Sequence, residues 1–596
     1  MYPQRVQALR QTLLKQGIDA FVLPRSDEYL NEDLAPADER LHWLSGFSGS
    51  QGLLVVTHAE AALLVDGRYS VQAAHECGTW LDVLPLDDEQ LFTWLQARLP
   101  NGAVLAADAR LHSVAQLQCW QRLAQARGWQ VQATGGNPVD RIWQDRPLAA
   151  TSPVVAHPLK WSGETCESKL QRIAAVLREN DCDALWLPAP DMLAWLLNVR
   201  GADIAIAPLP FSSGVLYAEG SLDWFIDAAR LQLPDGWLPD RVRVKPVSAI
   251  EEMGERLQQQ ACRRLWVSLD SCNAGRFMAL QASGVELYLA AHPLPLMRAC
   301  KNSAELDGSH AAHHLDGVAL CGFLQAYDTR PEAFMAADEL DVATILEEFR
   351  CQSDDYRGVS FDTISACGAN AAQPHYLPKE GRAACLEQGE LLLIDSGGQY
   401  PQGTTDVTRV LPVGPVTERQ RTLYTRVLRA HIALASCCFP PGTSGQQLDV
   451  LARQVMWRAG QDYAHGTGHG VGSYLSVHEG PQRIAPHASP VALQPGMITS
   501  IEPGLYLDGE LGIRLENLYE VIQSPDYPGF LTFRALTLVP FERSLINRAH
   551  MSSSETDWLD DYHHRVCEHL SNNMEPALEA WLREKTCVAE QSAASR

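Results

Sequence analysis

Residues 391–410 read LLLIDSGGQYPQGTTDVTRV. Leu391-Leu-Leu-Ile394 is a short apolar run of the kind that forms a buried strand, yet it ends on Asp395. Gly397, Gly398, Pro401 and Gly403 then mark a turn, and a second strand-like run, Thr404-Thr-Asp406-Val-Thr-Arg-Val410, follows. The pair reads as a hairpin with a carboxylate in each arm. An unpaired charge in an apolar strand is strongly disfavoured, so something cationic has to meet both acids. The same oddity recurs in Met497-Ile-Thr-Ser-Ile-Glu502 and in Gly512-Ile-Arg514-Leu-Glu516-Asn-Leu518. In the latter, two-residue alternation puts Arg514 and Glu516 on one face, with Ile513 and Leu515 on the other. Between the two carboxylate pairs lies His465-Gly-Thr-Gly-His469-Gly-Val-Gly, too rich in glycine for a helix and suited to close backbone approach.

Two Asp, two Glu and one His embedded in apolar strands and glycine turns suit a pair of divalent ions. Asp395, Asp406, Glu502 and Glu516 carry minus four formally, and two divalent ions carry plus four. Oxygen-rich ligation with one imidazole favours Mn²⁺, Fe²⁺, Co²⁺ or Zn²⁺ over a thiolate site. An ordinary ion pair accounts for any one of these residues, but five in one constellation are harder to explain that way. Around them, Thr417 with Gln420 and Ser444 with Gln447 are capping-box starts for two amphipathic helices, the second ending near Gly460.

The first half is organised differently. VQALRQTLLKQGIDAFVLP (6–24) answers LQRIAAVLRENDCDALWLP (170–188): a helical stripe, a turn, then Asp-Ala and an apolar strand stopping at Pro24 or Pro188. Three further landmarks follow in the same order, which implies two copies of one α/β domain and not a short-period solenoid. Pro138, Pro147, Pro153 and Pro158 precede the second copy, and Pro293 and Pro295 follow it. Neither copy offers a phosphate loop, a metal-ligand cluster or a nucleophile elbow. Asp66-Gly-Arg68 reads as an ion pair bracing a turn, and the half as a whole as shape and assembly surface.

Composition bounds the partners. There are 48 Lys and Arg against 72 Asp and Glu, a balance of −24, and no Lys/Arg run offers a basic patch, which excludes nucleic acid as the expected partner. No apolar run reaches the roughly 20 residues of a membrane span, and the first residues lack the order of a secretory signal. Fifteen cysteines in irregular spacing, with Cys437 and Cys438 adjacent and no CxxC, argue for reduced thiols in a cytoplasmic protein. Cys367 lacks an evident base for a nucleophilic role. The helical spacing of His310, His313 and His314 is expected to mark a solvated face.

The series Asp395, Asp406, His469, Glu502 and Glu516 resembles the metal-binding pattern of metallopeptidases with the pita-bread fold. Ser360-Phe-Asp-Thr-Ile364, Gly368-Ala-Asn370, Pro374-His-Tyr376, Gly468 through Pro481 and Gly512 through Asn517 narrow the resemblance to the long, three-domain Xaa-Pro aminopeptidases. Tyr29-Leu-Asn-Glu32 and Leu44 through Ser50 resemble that group's N-terminal domain. The resemblance implies an α/β (α+β) chain: creatinase-like domains over residues 1–150 and 151–300, a pita-bread catalytic domain over 301–543, and a helical extension with a short polar tail over 544–596.

It also implies roles. Asp395 would bind one ion, Asp406 and Glu516 would bridge two, and His469 and Glu502 would complete the other, with Mn²⁺ the expected metal. A hydroxide shared by the ions would attack the bond between an N-terminal residue and a following proline. Glu502 would also relay a proton, while His375, His465 and His478 would serve the carbonyl oxygen and the proline. Arg514 is expected to orient Glu516 or Asp406. The expected partners are peptides with proline second and another copy of the chain in a homodimer. The rivals are a prolidase restricted to Xaa-Pro dipeptides, a methionine aminopeptidase, which needs no duplicated N-terminal domains, and a non-catalytic binding module on the same fold.

Overall fold

The structure is a computed structural model describing residues 1–149, 151–487, 490–571 and 574–587; most of the expected polar tail lies outside the described residues. The chain divides into two compact units, Met1–Pro295 and Leu296–Arg596.

The repeat is structural. In the first copy α1 (Tyr2–Lys15) leads into β1 (Ala20–Pro24), followed by β2 (Leu53–Thr57), β3 (Ala61–Val65), β4 (Asp82–Pro85), β5 (Val104–Asp108) and β6 (Gln130–Thr134). In the second, α2 (Cys166–Glu179) leads into β7 (Ala184–Leu187), then β8 (Ser213–Tyr217), β9 (Leu222–Phe225), β10 (Val242–Lys245), β11 (Arg264–Val267) and β12 (Glu286–Leu289). The sheets run β4-β3-β2-β1-β5-β6 and β10-β9-β8-β7-β11-β12, the same order twice. Each has an antiparallel meander on one side of its first strand and parallel crossovers on the other. One apolar cluster draws on both copies, joining Val22 and Trp120 to Trp186 and Phe277. Asp66 and Arg68 do form the turn-bracing ion pair, at 2.7 Å.

The second unit opens with α3 (Ser303–Thr329), capped by Asn302 and Glu305, and α4 (Glu339–Arg350). A three-stranded sheet follows, β13 (Ile364–Cys367), β14 (Leu391–Ser396) and β15 (Val407–Pro412), with β14 central and antiparallel to both neighbours. Both faces of β14 are buried, hence its unbroken apolar run. Each such side chain withdrawn from water contributes about 1.5–3 kcal/mol. The two expected helices are α5 (Glu418–Ala435) and α6 (Gly445–Trp457), and both capping boxes are made. Beyond them come β16 (Ile498–Ile501), the hairpin β17 (Gly504–Leu507) and β18 (Leu511–Arg514), then β19 (Asn517–Gln523) and β20 (Leu531–Ala535). Strand β19 pairs with β16 on one side and β20 on the other. Two helices, α7 (Ser553–Leu570) and α8 (Pro576–Thr586), form the C-terminal extension and pack into the main core through Leu559, Tyr562, Val566 and Leu582.

Three local readings need correction. Asp406 sits just ahead of β15 and not inside the strand. The run 512–518 is not one strand: β18 ends at Arg514, β19 begins at Asn517, and Glu516 occupies the break. His310, His313 and His314 do not form a solvated face, because α3 packs on several sides. His313 is buried with its ring against the Ser309 carbonyl at 2.7 Å, and burial pushes its pKa down to about 4. His310 meets Glu520 at 3.2 Å.

Candidate metal centre

Register brings the acids together. Asp395 pairs across the ladder with Thr408, so the last turn of β14 lies beside the start of β15 and the approach from Asp406. The Glu516 amide donates to the Thr408 carbonyl at 3.2 Å, and the Thr408 hydroxyl donates to Glu516 Oε2 at 2.7 Å. Glu502 follows β16, its amide bonded to the Thr467 carbonyl at 2.8 Å, which ties it to the glycine loop carrying His469. That loop needs its glycines: a Cβ on Gly468 would stand 2.0 Å from the Ser500 carbonyl oxygen, and one on Gly470 the same distance from that of Glu479.

Ligand atoms of Asp406, His469 and Glu516 lie within 4.8 Å of one another, all three residues buried. His469 Nε2 is 3.5 Å from Asp406 Oδ2 and 3.6 Å from Glu502 Oε1. The other ring nitrogen, Nδ1, donates to the Gly470 carbonyl at 2.9 Å, which turns Nε2 toward the acids. Asp395 is held by Arg514, whose Nη2 and Nε reach Asp395 Oδ2 at 2.6 and 3.2 Å. Arg514 therefore orients Asp395 directly, where Glu516 or Asp406 was expected, and reaches Glu516 only through the Thr408 hydroxyl, 3.3 Å from its Nε. The strand break turns Glu516 out of register with it.

The electrostatics strain toward cations. Burial lifts the Asp395 pKa to about 6, opposed by Arg514 and reinforced by Asp406. Burial, then the charges of Asp406, Glu502 and Asp395, raise Glu516 well above the ordinary carboxylate range. Asp395 Oδ1, Asp406 Oδ1 and Glu516 Oε1 are buried with no hydrogen-bond partner. Buried orphan oxygens are rare and costly. Four carboxylates and Arg514 sum to −4 + 1 = −3, so the donor set fits two divalent ions and one further anionic ligand. Oxygen donors with one imidazole fit Mn²⁺-class ions, and among the described residues the metal-ligand cluster contains no cysteine. Cys367 is unsuited to nucleophilic chemistry, since burial and Glu390 at 3.1 Å push its thiol up.

Of the remaining histidines, His478 packs edge-on against His469, ring centroids 4.5 Å apart. His465 Nδ1 meets the Gly466 carbonyl at 2.7 Å and Nε2 meets the Tyr506 hydroxyl at 2.8 Å; that hydroxyl accepts from Arg514 Nη1 at 2.7 Å. His465 and Asp395 are thus ends of one hydrogen-bonded chain through Tyr506 and Arg514. His375 stands on the segment after β13, which is anchored by the buried Glu339 of α4. The Glu339 carboxylate accepts from Cys367 N at 2.7 Å, Asn370 Nδ2 at 3.0 and 3.1 Å, Tyr376 Oη at 2.7 Å and Ala384 N at 2.8 Å. Tyr506, Thr408 and Glu339 escaped the sequence reading. Each acts across separate elements, and no local spacing marks such contacts.

The chain matches metallopeptidase family M24 over residues 308–523 and the C-terminal region of that peptidase over 529–588. The creatinase/prolidase N-terminal domain matches twice, over 5–135 and 145–305. A probable Xaa-Pro aminopeptidase P of Pyricularia oryzae is 35% identical, covering 98% of each chain, and aminopeptidase P1 of Arabidopsis thaliana is 33% identical, covering 96% of each. The crystal structure of X-prolyl aminopeptidase from Caenorhabditis elegans, described as a cytosolic enzyme with a di-nuclear active site, superposes with a TM-score of 0.91 at 31% identity over 98% of this chain and 99% of that one. With the repeated N-terminal domains, the acid cluster and the C-terminal helices all accounted for, the chain belongs to the Xaa-Pro aminopeptidase P group of the M24 metallopeptidases.

Proposed function

We propose that the chain hydrolyses the bond between an N-terminal residue and a following proline, using two divalent ions, Mn²⁺ in the first instance. Asp395 would hold one ion, Asp406 and Glu516 would bridge, and His469 with Glu502 would complete the second. When bound, such ions lower the pKa of a shared water toward ~7 and polarise the scissile carbonyl.

The rest is done by the protein's own groups. Glu502, the least enclosed of the four acids, is the proton acceptor, and passes its proton to the proline nitrogen as that leaves. His375, His465 and His478 place the carbonyl oxygen as it gains charge, and the proline ring beside it. Of the three, His465 serves the proline and not the carbonyl oxygen, because its Nδ1–H is held by the Gly466 carbonyl and its Nε2 by the Tyr506 hydroxyl, so that the Tyr506–Arg514 chain fixes the ring as a surface. Proline lacks an amide hydrogen and has a fixed φ, so a site built for it reads shape where other aminopeptidases read an N–H.

The observation that carries this reading is the set of three orphaned carboxylate oxygens on Asp395, Asp406 and Glu516, buried around a histidine whose free nitrogen faces the same acids. We further infer a cytoplasmic location, which the cytosolic C. elegans relative supports, and a homodimer, which a light-scattering mass tests. The test is a panel of peptides assayed with and without Mn²⁺ and a chelator. Release of the first residue from Xaa-Pro-Pro tripeptides, lost on chelation and restored by Mn²⁺, is expected. Cleavage confined to Xaa-Pro dipeptides would make the enzyme a prolidase, and metal-independent or absent cleavage would refute the proposal.

A further inference from the structure

Glu516 lies where no ladder supports it, in the gap between β18 and β19. Side chains take over the two carbonyls that flank it. The Leu515 carbonyl accepts from His431 Nδ1 of α5 at 3.0 Å, and the Glu516 carbonyl accepts from Arg409 Nη1 of β15 at 2.7 Å. With the Glu516 amide on Thr408, the backbone on both sides of this acid is pinned.

Arg409 is buried, and among the described residues its hydrogen-bond acceptors are backbone carbonyls, a side-chain amide and a hydroxyl. Nε donates to the Pro540 carbonyl at 3.0 Å, and Nη1 to those of Thr408 and Glu516 at 2.9 and 2.7 Å. Nη2 donates to Asn517 Oδ1 at 2.8 Å, to the Val539 carbonyl at 2.6 Å and to the Tyr562 hydroxyl at 3.1 Å. A guanidinium stays charged in any such site, so its orientation depends on every acceptor being present. Tyr562 belongs to α7, in the C-terminal extension. Its hydroxyl accepts from Arg409 and donates to the Val539 carbonyl at 2.7 Å, and its ring stacks flat on Trp558 with centroids 5.6 Å apart. The extension therefore reaches a proposed metal ligand through two side chains: Tyr562 sets Arg409, and Arg409 sets the Glu516 peptide.

We infer that Tyr562 and Arg409 are positioning residues for the metal centre, so that the C-terminal extension sustains metal affinity as well as covering the core. The inference rests on the two-ion reading above, with Glu516 as a ligand. It differs from a packing role, in which loss of the extension would lower stability and leave a folded site as tight as before.

The experiment titrates Mn²⁺ into metal-free full-length chain by calorimetry, for the wild type, Tyr562→Phe and Val566→Ala. Phe keeps the ring and its stacking and removes only the hydroxyl. Val566 is fully buried in α7, one turn from Tyr562 in the same apolar cluster, so its truncation loosens the packing of the extension while leaving the Tyr562 hydroxyl in place. Partners beyond the ligand shell typically alter metal affinity 10–100-fold, and at one remove further Tyr562→Phe is expected to weaken Mn²⁺ by about 5- to 10-fold. Val566→Ala, with a lowered thermal midpoint, is expected to bind as the wild type does. Wild-type affinity in Tyr562→Phe would overturn the inference and leave the two-ion reading standing. Equal weakening in Val566→Ala would overturn it too, since affinity would then follow stability. A wild type that takes up no Mn²⁺ would overturn both.

Discussion

Acidification should act in opposite directions on the metal-free and metal-loaded protein, and Asp395 sets the scale. Its ordinary pKa of 3.8 is raised to about 6 by burial and Asp406, against the pull of Arg514. A carboxylate raised on folding binds its proton more tightly in the folded chain. Its contribution to stability is therefore full below about 4 and is lost as pH rises through about 6. That difference in pKa corresponds to about 3 kcal/mol once both states are fully protonated, and metal-free protein should gain about 2 kcal/mol of it between pH 7 and pH 4 from this residue. Other groups lose stability in acid, so the Asp395→Asn variant is the reference that isolates the part due to Asp395. Metal binding runs the other way, because the ligand must be ionised. At pH 5 the factor 1 + 10^(6−5) predicts affinity about 11-fold weaker from Asp395 alone, against about 1.1-fold at pH 7. Glu516, raised further, should steepen the fall. Calorimetric Mn²⁺ titrations between pH 5 and 8, with denaturant unfolding of metal-free protein over pH 4–7, read both arms. A flat affinity between pH 5 and 7 would refute the reasoning, as would a metal-free protein whose Asp395-dependent stability rises with pH.

Asp406→Ala should abolish peptide cleavage while the Met1–Pro295 unit stays folded, which activity together with limited proteolysis would show; retained turnover would rule out the proposed bridging role. Glu339→Gln places an amide NH₂ against a site of donors alone, and should cost about 2–4 kcal/mol and lower kcat by releasing the His375 segment. Denaturant melts and steady-state kinetics check it, and an unaltered variant would count against the anchoring of His375. Tyr506→Phe removes the link between His465 and Arg514 and should lower kcat about 10-fold or more with little change in the amount of bound metal; elemental analysis beside kinetics separates this from ligand loss.

The parts of this chain legible in sequence were those written in local pattern. The duplicated sheet could be read because each copy repeats its helix, Asp-Ala turn and Pro-ended strand in order, and the strand orders are identical. The acids of 391–410 stood out because a charge closing a run of Leu and Ile contradicts burial unless a cation answers it. What alternation could not show was the break at Leu515 and Glu516, which is set by Arg409, His431 and Thr408 arriving from other elements. Arg514, still inside β18, meets Asp395 while Glu516, beyond the break, meets Thr408. The α3 histidines were misread for a related reason: helical spacing identifies a face, but the neighbours packed on that face decide whether water reaches it.

The central claim is that Asp395, Asp406, His469, Glu502 and Glu516 converge on two divalent ions. An anomalous difference map from a crystal grown with Mn²⁺, collected on either side of the manganese absorption edge, tests it directly. Two peaks inside the ring of those five residues, the carboxylates of Asp406 and Glu516 reaching both, are predicted. A map with no peak there, or with a single ion bound elsewhere in the chain, would contradict it.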